Sequence, residues 1–193
     1  MTHQHDNSIE SDPKVFGFWI YLMTDLIIFA VLFATYMVLR KNTFGAPSGR
    51  ELFQMPVVLW ETLILLVSSF TCAIGMLEIT SENKKRATFW FSVTLLLGLA
   101  FLIIEIAEFT LFIHEGAGPQ KSAFLSSYFT LVGTHGLHIA AGLVWMIVAL
   151  FRIWLRPLAP SSVSRIFRMA LFWHFLDFVW IFIFTIVYGI GHL

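Results

Sequence analysis

Charged residues are scarce in this sequence of 193 residues. Only 12% of them are Asp, Glu, Lys or Arg, whereas 58% are hydrophobic. A soluble domain carries roughly 25% charged residues, so a soluble globular fold is excluded. The composition predicts an integral membrane protein.

Net charge and cysteine are nearly absent as well. Twelve basic residues balance twelve acidic ones, so the formal net charge is zero. A basic patch of the kind that binds nucleic acid is therefore not expected, and nucleic acid is excluded as a partner. Cys72 is the single cysteine, which rules out a disulfide within the chain and favours a role in packing.

Five long apolar runs dominate what is present. They cover approximately residues 15–39, 55–77, 87–113, 123–151 and 166–190. A helix needs about 20 residues to cross a bilayer, and each run is long enough. The polar segments between the runs are too short to form a further domain. We therefore predict an all-α fold, a five-transmembrane-helix bundle that forms a single membrane domain over residues 1–193, with a polar tail at 1–13.

The basic residues predict the orientation of this bundle. Positive charge is enriched in cytoplasmic loops. Eight basic residues fall on the side of the N-terminus and four on the other. The eight are Lys14, Lys84, Lys85, Arg86, Arg152, Arg156, Arg165 and Arg168, and the four are Arg40, Lys41, Arg50 and Lys121. We expect a cytoplasmic N-terminus and a periplasmic C-terminus.

Eight ionisable groups lie inside the apolar runs, with no lysine or arginine deep in any run to balance them. An ionised aspartate at a helix centre costs about 2.5–3.5 kcal/mol on insertion scales, so each group needs a reason to be there. Six of the eight form pairs three residues apart, which places each pair on one helix face. We predict that the helices share a polar seam. Its members are Asp25, Glu61, Glu105, Glu108, His135, His138, His174 and Asp177.

Four interpretations of this seam stay open on the residues alone. A di-metal site would use Glu-x-x-His motifs, and these pairs are Glu-x-x-Glu, His-x-x-His and His-x-x-Asp. One haem could be held between His174 and either His135 or His138. Buried carboxyls also suit a proton or ion pathway. The fourth interpretation is structural: the groups bond one another across helices and hold lipid headgroups or a neighbouring subunit.

Two residue-level expectations follow from the seam. We expect His174 and Asp177 to contact the helix that carries His135 and His138, or to contact Asp25. We also expect Asp25, which has no basic residue within one turn, to be protonated or to accept a bond from His174 or a lipid headgroup. A structural hydrogen bond and a role in proton exchange both remain possible for Asp25.

Two sequence stretches resemble the subunit III family of haem–copper oxidases. The first is Gly-Thr-His-Gly-Leu-His at 133–138, followed by Gly142. The second is Phe-Trp-His-Phe-Leu-Asp-Phe-Val-Trp at 172–180, and Glu108 matches a further glutamate of the family. The resemblance extends from Phe16 to Gly189.

Within that family, the sequence is most similar to the short bo-type form of bacterial ubiquinol oxidases. That form has five helices, whereas the mitochondrial type has seven. Some positions depart from the wider family. Asp25 stands where the family has a carbodiimide-reactive glutamate, Glu61 where the mitochondrial type has an asparagine, and Glu105 where it has a glutamine.

The resemblance implies an accessory role in a proton-pumping ubiquinol oxidase of a bacterial inner membrane. It implies no catalytic, cofactor-binding or metal-ligating residue in this chain, because haem and copper belong to subunit I. It further implies assembly with subunits I and II and a small subunit IV, phospholipid binding, and support of proton uptake. The competing hypothesis is a stand-alone membrane redox or metal protein that uses the buried seam.

Overall fold

The computed structural model describes residues 13–43, 55–155 and 160–189. Five helices occupy these ranges, and all five are long and apolar enough to span a membrane, which confirms the predicted fold class. They are α1 (Pro13–Leu39), α2 (Met55–Thr80), α3 (Lys84–His114), α4 (Ala123–Leu155) and α5 (Pro160–Ile183), the last continuing as a π-helical turn over Phe184–Gly189.

The helices extend beyond several of the predicted spans. α2 runs three residues further, α3 begins three residues earlier, and α5 begins six residues before the predicted start. Hydropathy marks only the part of a helix that lies in lipid, whereas helices continue into the polar interface. Of the predicted tail, Pro13 lies in α1 and residues 1–12 lie outside the described residues, as do Ile190 and the segment 44–54.

Side chains and backbone geometry define the sharp ends of α3 and α4. Asn83 precedes α3, and its Oδ1 accepts a bond from the amide of Arg86 at 3.4 Å. Ser122 does the same for α4, accepting from the amide of Leu125 at 3.1 Å. These caps satisfy amides that a helix leaves free at its first turn. After α3 the chain turns at Gly116, whose positive φ of 77° suits glycine.

α5 lies at the centre of the bundle. It packs against α2, α4 and α1, while α2 pairs with α3, and α1 is held mainly by α4 and α5. Trp173 of α5 fills the space between two glycines. A β-carbon at Gly98 of α3 would lie 2.6 Å from the Trp173 ring, and one at Gly142 of α4 would lie 3.2 Å from it. The two glycines therefore admit the indole, which lets three helices approach one another closely.

Apolar side chains also cover the outer faces of the bundle. Trp60, Leu77, Leu96, Leu137 and Trp154 are all more than 60% exposed. In water such a surface would be unstable, but hydrocarbon solvates it. The outer faces thus fit a bilayer or the apolar surface of another membrane subunit.

Candidate functional site

The structure distributes the eight predicted seam residues over separate places in the bundle. Asp25 and His138 meet between α1 and α4. His174 and Asp177 face α2. The three glutamates gather at the end of the bundle where α2 and α4 begin, and His135 lies among aromatic rings.

Asp25 is paired with a histidine of α4. Its Oδ2 lies 3.2 Å from Nε2 of His138, and the carboxyl is buried. This is an ion-pair distance, although Asp25 Oδ2 makes no hydrogen bond of good geometry. On the other side of the imidazole, Nδ1 of His138 lies 2.7 Å from the carbonyl oxygen of Thr134. Of the alternatives predicted for Asp25, the bond from His174 is wrong, because the imidazole opposite the carboxyl is that of His138.

His174 bonds α2 rather than α4. Its Nδ1 lies 2.7 Å from Oγ of Ser69. The carboxyl of Asp177 is also near Ser69, although its buried Oδ1 has no hydrogen-bond partner. The predicted contact of His174 with the helix of His135 and His138 is thus wrong, because α5 turns this face towards α2.

Two indoles extend the same interface between α5 and α2. Trp173 Nε1 donates to Oγ of Ser68 at 2.9 Å, and Trp180 Nε1 donates to Oγ1 of Thr62 at 3.1 Å. An indole N–H normally finds a partner when it is buried. With the bond between His174 and Ser69, three hydrogen bonds hold the two antiparallel helices together.

Five residues form what we call the carboxyl–tyrosine cluster: Glu61, Glu105, Glu108, Tyr128 and Tyr188. The hydroxyls of Tyr128 and Tyr188 lie 2.9 Å apart, and they lie 3.5 and 3.4 Å from Oε2 of Glu108. Glu61 and Glu105 are close enough to interact electrostatically with Glu108. They come from α2 and α3, whereas the tyrosines come from α4 and the π-helical turn. The cluster thus joins four segments of the chain.

Glu105 lies directly against the backbone of α4. A β-carbon at Gly136 would be 2.7 Å from Oε1 of Glu105 and 2.9 Å from Oε2. Only a hydrogen on that face leaves room for the carboxyl. Gly136 therefore helps to determine where the carboxyl of Glu105 lies.

His135 is enclosed by aromatic rings. Its imidazole stacks on Trp180 at 5.3 Å between centroids and meets the edges of Phe29 and Phe101 at 6.3 and 6.1 Å. The side chain is fully buried, and neither ring nitrogen has a hydrogen-bond partner among the described residues. Its ring neighbours are the aromatic side chains of Phe29, Phe101 and Trp180.

The positions of the seam side chains can be compared with those that a metal site would need. Throughout the part of the chain that the structure describes, no group of three or more His, Cys, Asp or Glu side chains could hold a metal ion. His138 and His174 instead have oxygen partners, Asp25 and Thr134 for the first and Ser69 for the second. The oxygen partners of His138 and His174 are those of interhelical and backbone hydrogen bonding.

Several contributing residues were missing from the sequence prediction. Tyr128, Tyr188, Ser68, Ser69 and Thr62 all bond to a member of the seam or to an indole beside it. Serine and threonine in a membrane helix often bond their own backbone, so their sequence carries no signal of an interhelical role. A phenol deep in an apolar run is a better signal, because the hydroxyl needs a partner there.

Comparison with known proteins identifies the relatives of this chain. The family described as cytochrome c oxidase subunit III matches residues 1–192. Cytochrome bo(3) ubiquinol oxidase subunit 3 of Pseudomonas aeruginosa is 54% identical over 99% of this chain and 92% of that protein. Cytochrome c oxidase subunit 3 of Bacillus sp. (strain PS3) is 43% identical over 97% and 91%. Quinol oxidase subunit 3 of Bacillus subtilis (strain 168) is 45% identical over 92% and 87%.

These matches span nearly the full length of the chain and of its relatives. They include both sequence stretches at 133–138 and 172–180, in which His135 and Asp177 are buried and His138 and His174 are half-buried. The five apolar helices agree with a bacterial membrane protein. The chain belongs to the cytochrome c oxidase subunit III family and is a subunit of a multi-subunit haem–copper oxidase.

Proposed function

We propose that this chain is the accessory subunit III of a proton-pumping ubiquinol oxidase. The observation that carries the proposal is the 54% identity, over nearly the whole chain, to a protein named subunit 3 of a bo(3) ubiquinol oxidase. In this role the chain stabilises the catalytic subunit, while the complex oxidises ubiquinol and reduces oxygen to water.

The electron donor is the finer part of this proposal. Relatives named for ubiquinol, for quinol and for cytochrome c all match this chain over more than nine-tenths of its length. The higher identity to the ubiquinol oxidase subunit favours ubiquinol. The donor site itself belongs to other subunits of the complex, as do the haem and copper, which we assign to subunit I.

The partners are oxidase subunits I and II and a small subunit IV. The bundle offers them broad apolar faces on α1, α3 and α4, with side chains such as Val38, Ile103 and Val144 more than 60% exposed. Phospholipid covers the faces that no subunit covers. We place the chain in the bacterial inner membrane, with the N-terminus in the cytoplasm and the C-terminus in the periplasm.

The internal polar contacts support an accessory role. Asp25 with His138, His174 with Ser69, and Glu108 with Tyr128 and Tyr188 each join different helices. Such bonds stabilise a membrane bundle, where the hydrophobic effect between helices is weak. We assign to the pair of Asp25 and His138 the support of proton uptake, since a buried carboxyl beside an imidazole can hold a proton.

Affinity purification from aerobic cells tests the proposal. Tagged chain should co-purify with a haem-bearing large subunit, and the purified complex should oxidise ubiquinol but not reduced cytochrome c. Preference for cytochrome c would shift the assignment to the other oxidase type. Recovery of the chain without any haem-bearing partner would contradict the accessory role itself.

The stand-alone redox hypothesis has its own test. An isolated chain that carried haem or a redox metal would show a Soret band or stoichiometric iron or copper. Orientation is tested by reporters fused to each terminus. Alkaline phosphatase is active only in the periplasm, so activity should follow the C-terminal fusion and not the N-terminal one.

A further inference from the structure

The carboxyl–tyrosine cluster contains buried oxygens that have no hydrogen-bond partner in residues 13–43, 55–155 and 160–189. Both carboxyl oxygens of Glu61 and both of Glu105 are in this state, and the two side chains are 0% and 2% exposed. A buried polar atom without a partner costs about 1–3 kcal/mol. Four such oxygens at one end of the bundle therefore call for donors that side chains and backbone of the described residues do not supply.

The carboxyl–tyrosine cluster also has an unusual charge balance, because three acidic side chains lie close together in it. No lysine or arginine of the described residues is buried. Glu108 has two phenol hydroxyls near its Oε2, those of Tyr128 and Tyr188, which can donate hydrogen bonds to it. Glu61 and Glu105 have no such donors, and three mutually close anions in a low-dielectric interior repel one another strongly.

His135, which is not a member of the cluster, also has buried polar atoms that need a hydrogen-bond partner. Within the part of the chain that the structure describes, neither nitrogen of the fully buried His135 has a hydrogen-bond partner. His135 stacks on Trp180, and the ring of Trp180 lies 6.3 Å from that of Tyr188 in the cluster. His135 also directly precedes Gly136, against which the carboxyl of Glu105 is packed. His135 thus lies close to the cluster, next to an indole that also neighbours Tyr188.

Few chemical species could act as the hydrogen-bond partner of Glu61 and Glu105 in this buried site. A metal ion does not fit, because the described carboxyls and histidines form no group able to ligate one. A lipid headgroup does not fit either, since Glu61 and Glu105 are closed off from the bundle surface. Water is small, neutral, and both donor and acceptor, and buried waters in proteins typically make about three hydrogen bonds to groups of this kind.

We propose that the carboxyl–tyrosine cluster is an internal water-binding site, in which ordered water bridges Glu61 to Glu105 and both carboxyls are protonated. Water then donates to the carbonyl oxygens of the acids and accepts from their hydroxyls. Glu108, Tyr128 and Tyr188 form the adjoining hydrogen-bonded wall. The site stores protons within the membrane without a metal or a basic side chain.

A cryo-EM map of the assembled oxidase in lipid nanodiscs, at a resolution that shows ordered water, tests the site directly. Density of the size of water should lie within hydrogen-bonding distance of both Glu61 and Glu105. Direct contact of the two carboxyls without intervening density would overturn the proposal, as would a coordinated metal ion or a lipid headgroup. Absence of a haem-bearing partner from the purified sample bears only on the proposed function, since the density is read within this chain.

Infrared spectroscopy of the same complex tests whether the carboxyls of Glu61 and Glu105 are protonated. The carbonyl stretch of a protonated carboxyl should be lost in part in Glu61→Gln and in Glu105→Gln, and it should shift in heavy water. Glu78→Gln is the matched control. Glu78 lies at the opposite end of α2 from the cluster, where it forms an ion pair with Arg86 of α3 at 3.7 Å, so this substitution should leave the carbonyl band unchanged. An unchanged carbonyl band in both cluster variants would overturn the proposal. If one variant fails to assemble, the other variant and the map still decide the result.

Discussion

Asp25 of α1 and His138 of α4 meet in an arrangement that the imidazole itself constrains. Nδ1 of His138 lies 2.7 Å from the carbonyl oxygen of Thr134, which can only accept a hydrogen bond, so Nδ1 carries a proton. Nε2 then faces Asp25 Oδ2 at 3.2 Å. The imidazole thus links the carboxyl of α1 to the backbone of α4.

Asp25→Ala removes the carboxyl from this pair. We expect the assembled oxidase to keep an initial rate of oxygen reduction close to that of the wild type but to lose activity faster during turnover. The reason is that, in the proposed function, catalysis lies in other subunits, whereas the pair supports proton uptake and joins α1 to α4. Oxygen consumption followed over many turnovers measures both quantities.

Thr24→Ala is the control for this substitution. Thr24 is the neighbour of Asp25, but its hydroxyl bonds the carbonyl of Ile20 in the same helix. Its loss should leave both the initial rate and the lifetime unchanged. A correctly assembled Asp25→Ala complex with no initial activity would contradict the accessory role.

Ser68→Ala removes the acceptor of the Trp173 indole. Interhelical hydrogen bonds in membranes contribute about 0.6 kcal/mol on average and about 1.7 at most, so we expect a loss of that size in the free energy of unfolding. Unfolding in mixed micelles with increasing SDS measures it. Ser92→Ala is the matched control, because the Ser92 hydroxyl bonds Thr88 within its own helix. Equal losses in the two variants would argue against a specific role of the bond to Trp173.

Tyr188→Phe and Glu108→Gln should not act independently. Their atoms lie 3.4 Å apart, and each also interacts with Tyr128. Residues in one hydrogen-bond network show coupling energies of about 0.5–3 kcal/mol. A double-mutant cycle on the free energy of unfolding should give a value in this range. The pair of Tyr188→Phe and Ser92→Ala should instead be additive, and a cycle near zero for the first pair would show that the tyrosine does not support Glu108.

Gly136→Ala tests the position of Glu105. The new methyl group would lie 2.7 Å from Oε1, so the carboxyl or the helix must move. Overpacking of this kind costs about 1–3 kcal/mol. Gly133→Ala is the control one turn earlier, where the nearest atom, Cε2 of Phe109, is 3.6 Å away. In thermal unfolding, Gly136→Ala should have a clearly lower melting temperature than Gly133→Ala. Equal melting temperatures would mean that the carboxyl of Glu105 moves aside without a loss of stability.

Hydropathy located the five spans but not the helix ends. The start of α3 depends on the Asn83 cap and that of α4 on Ser122, neither of which alters an apolar run. α5 begins at Pro160, within a segment predicted to be a loop. Proline suits the first turn of a helix, since it has no amide hydrogen to leave unpaired. The polar ends of helices are thus decided by local capping, which lipid burial does not report.

The sequence by itself determined that this chain spans a membrane five times and that eight ionisable groups are placed inside those spans. It did so because burial in lipid demands long apolar runs, and because spacing of three residues places two side chains on one helix face. Only the tertiary structure decided the partners. His174 could have met any neighbouring helix, and the rotation of α5 turned it to Ser69 of α2 while His138 met Asp25 of α1. Periodicity fixes the face of a helix, but the packing of Trp173 between Gly98 and Gly142 sets which neighbour that face meets.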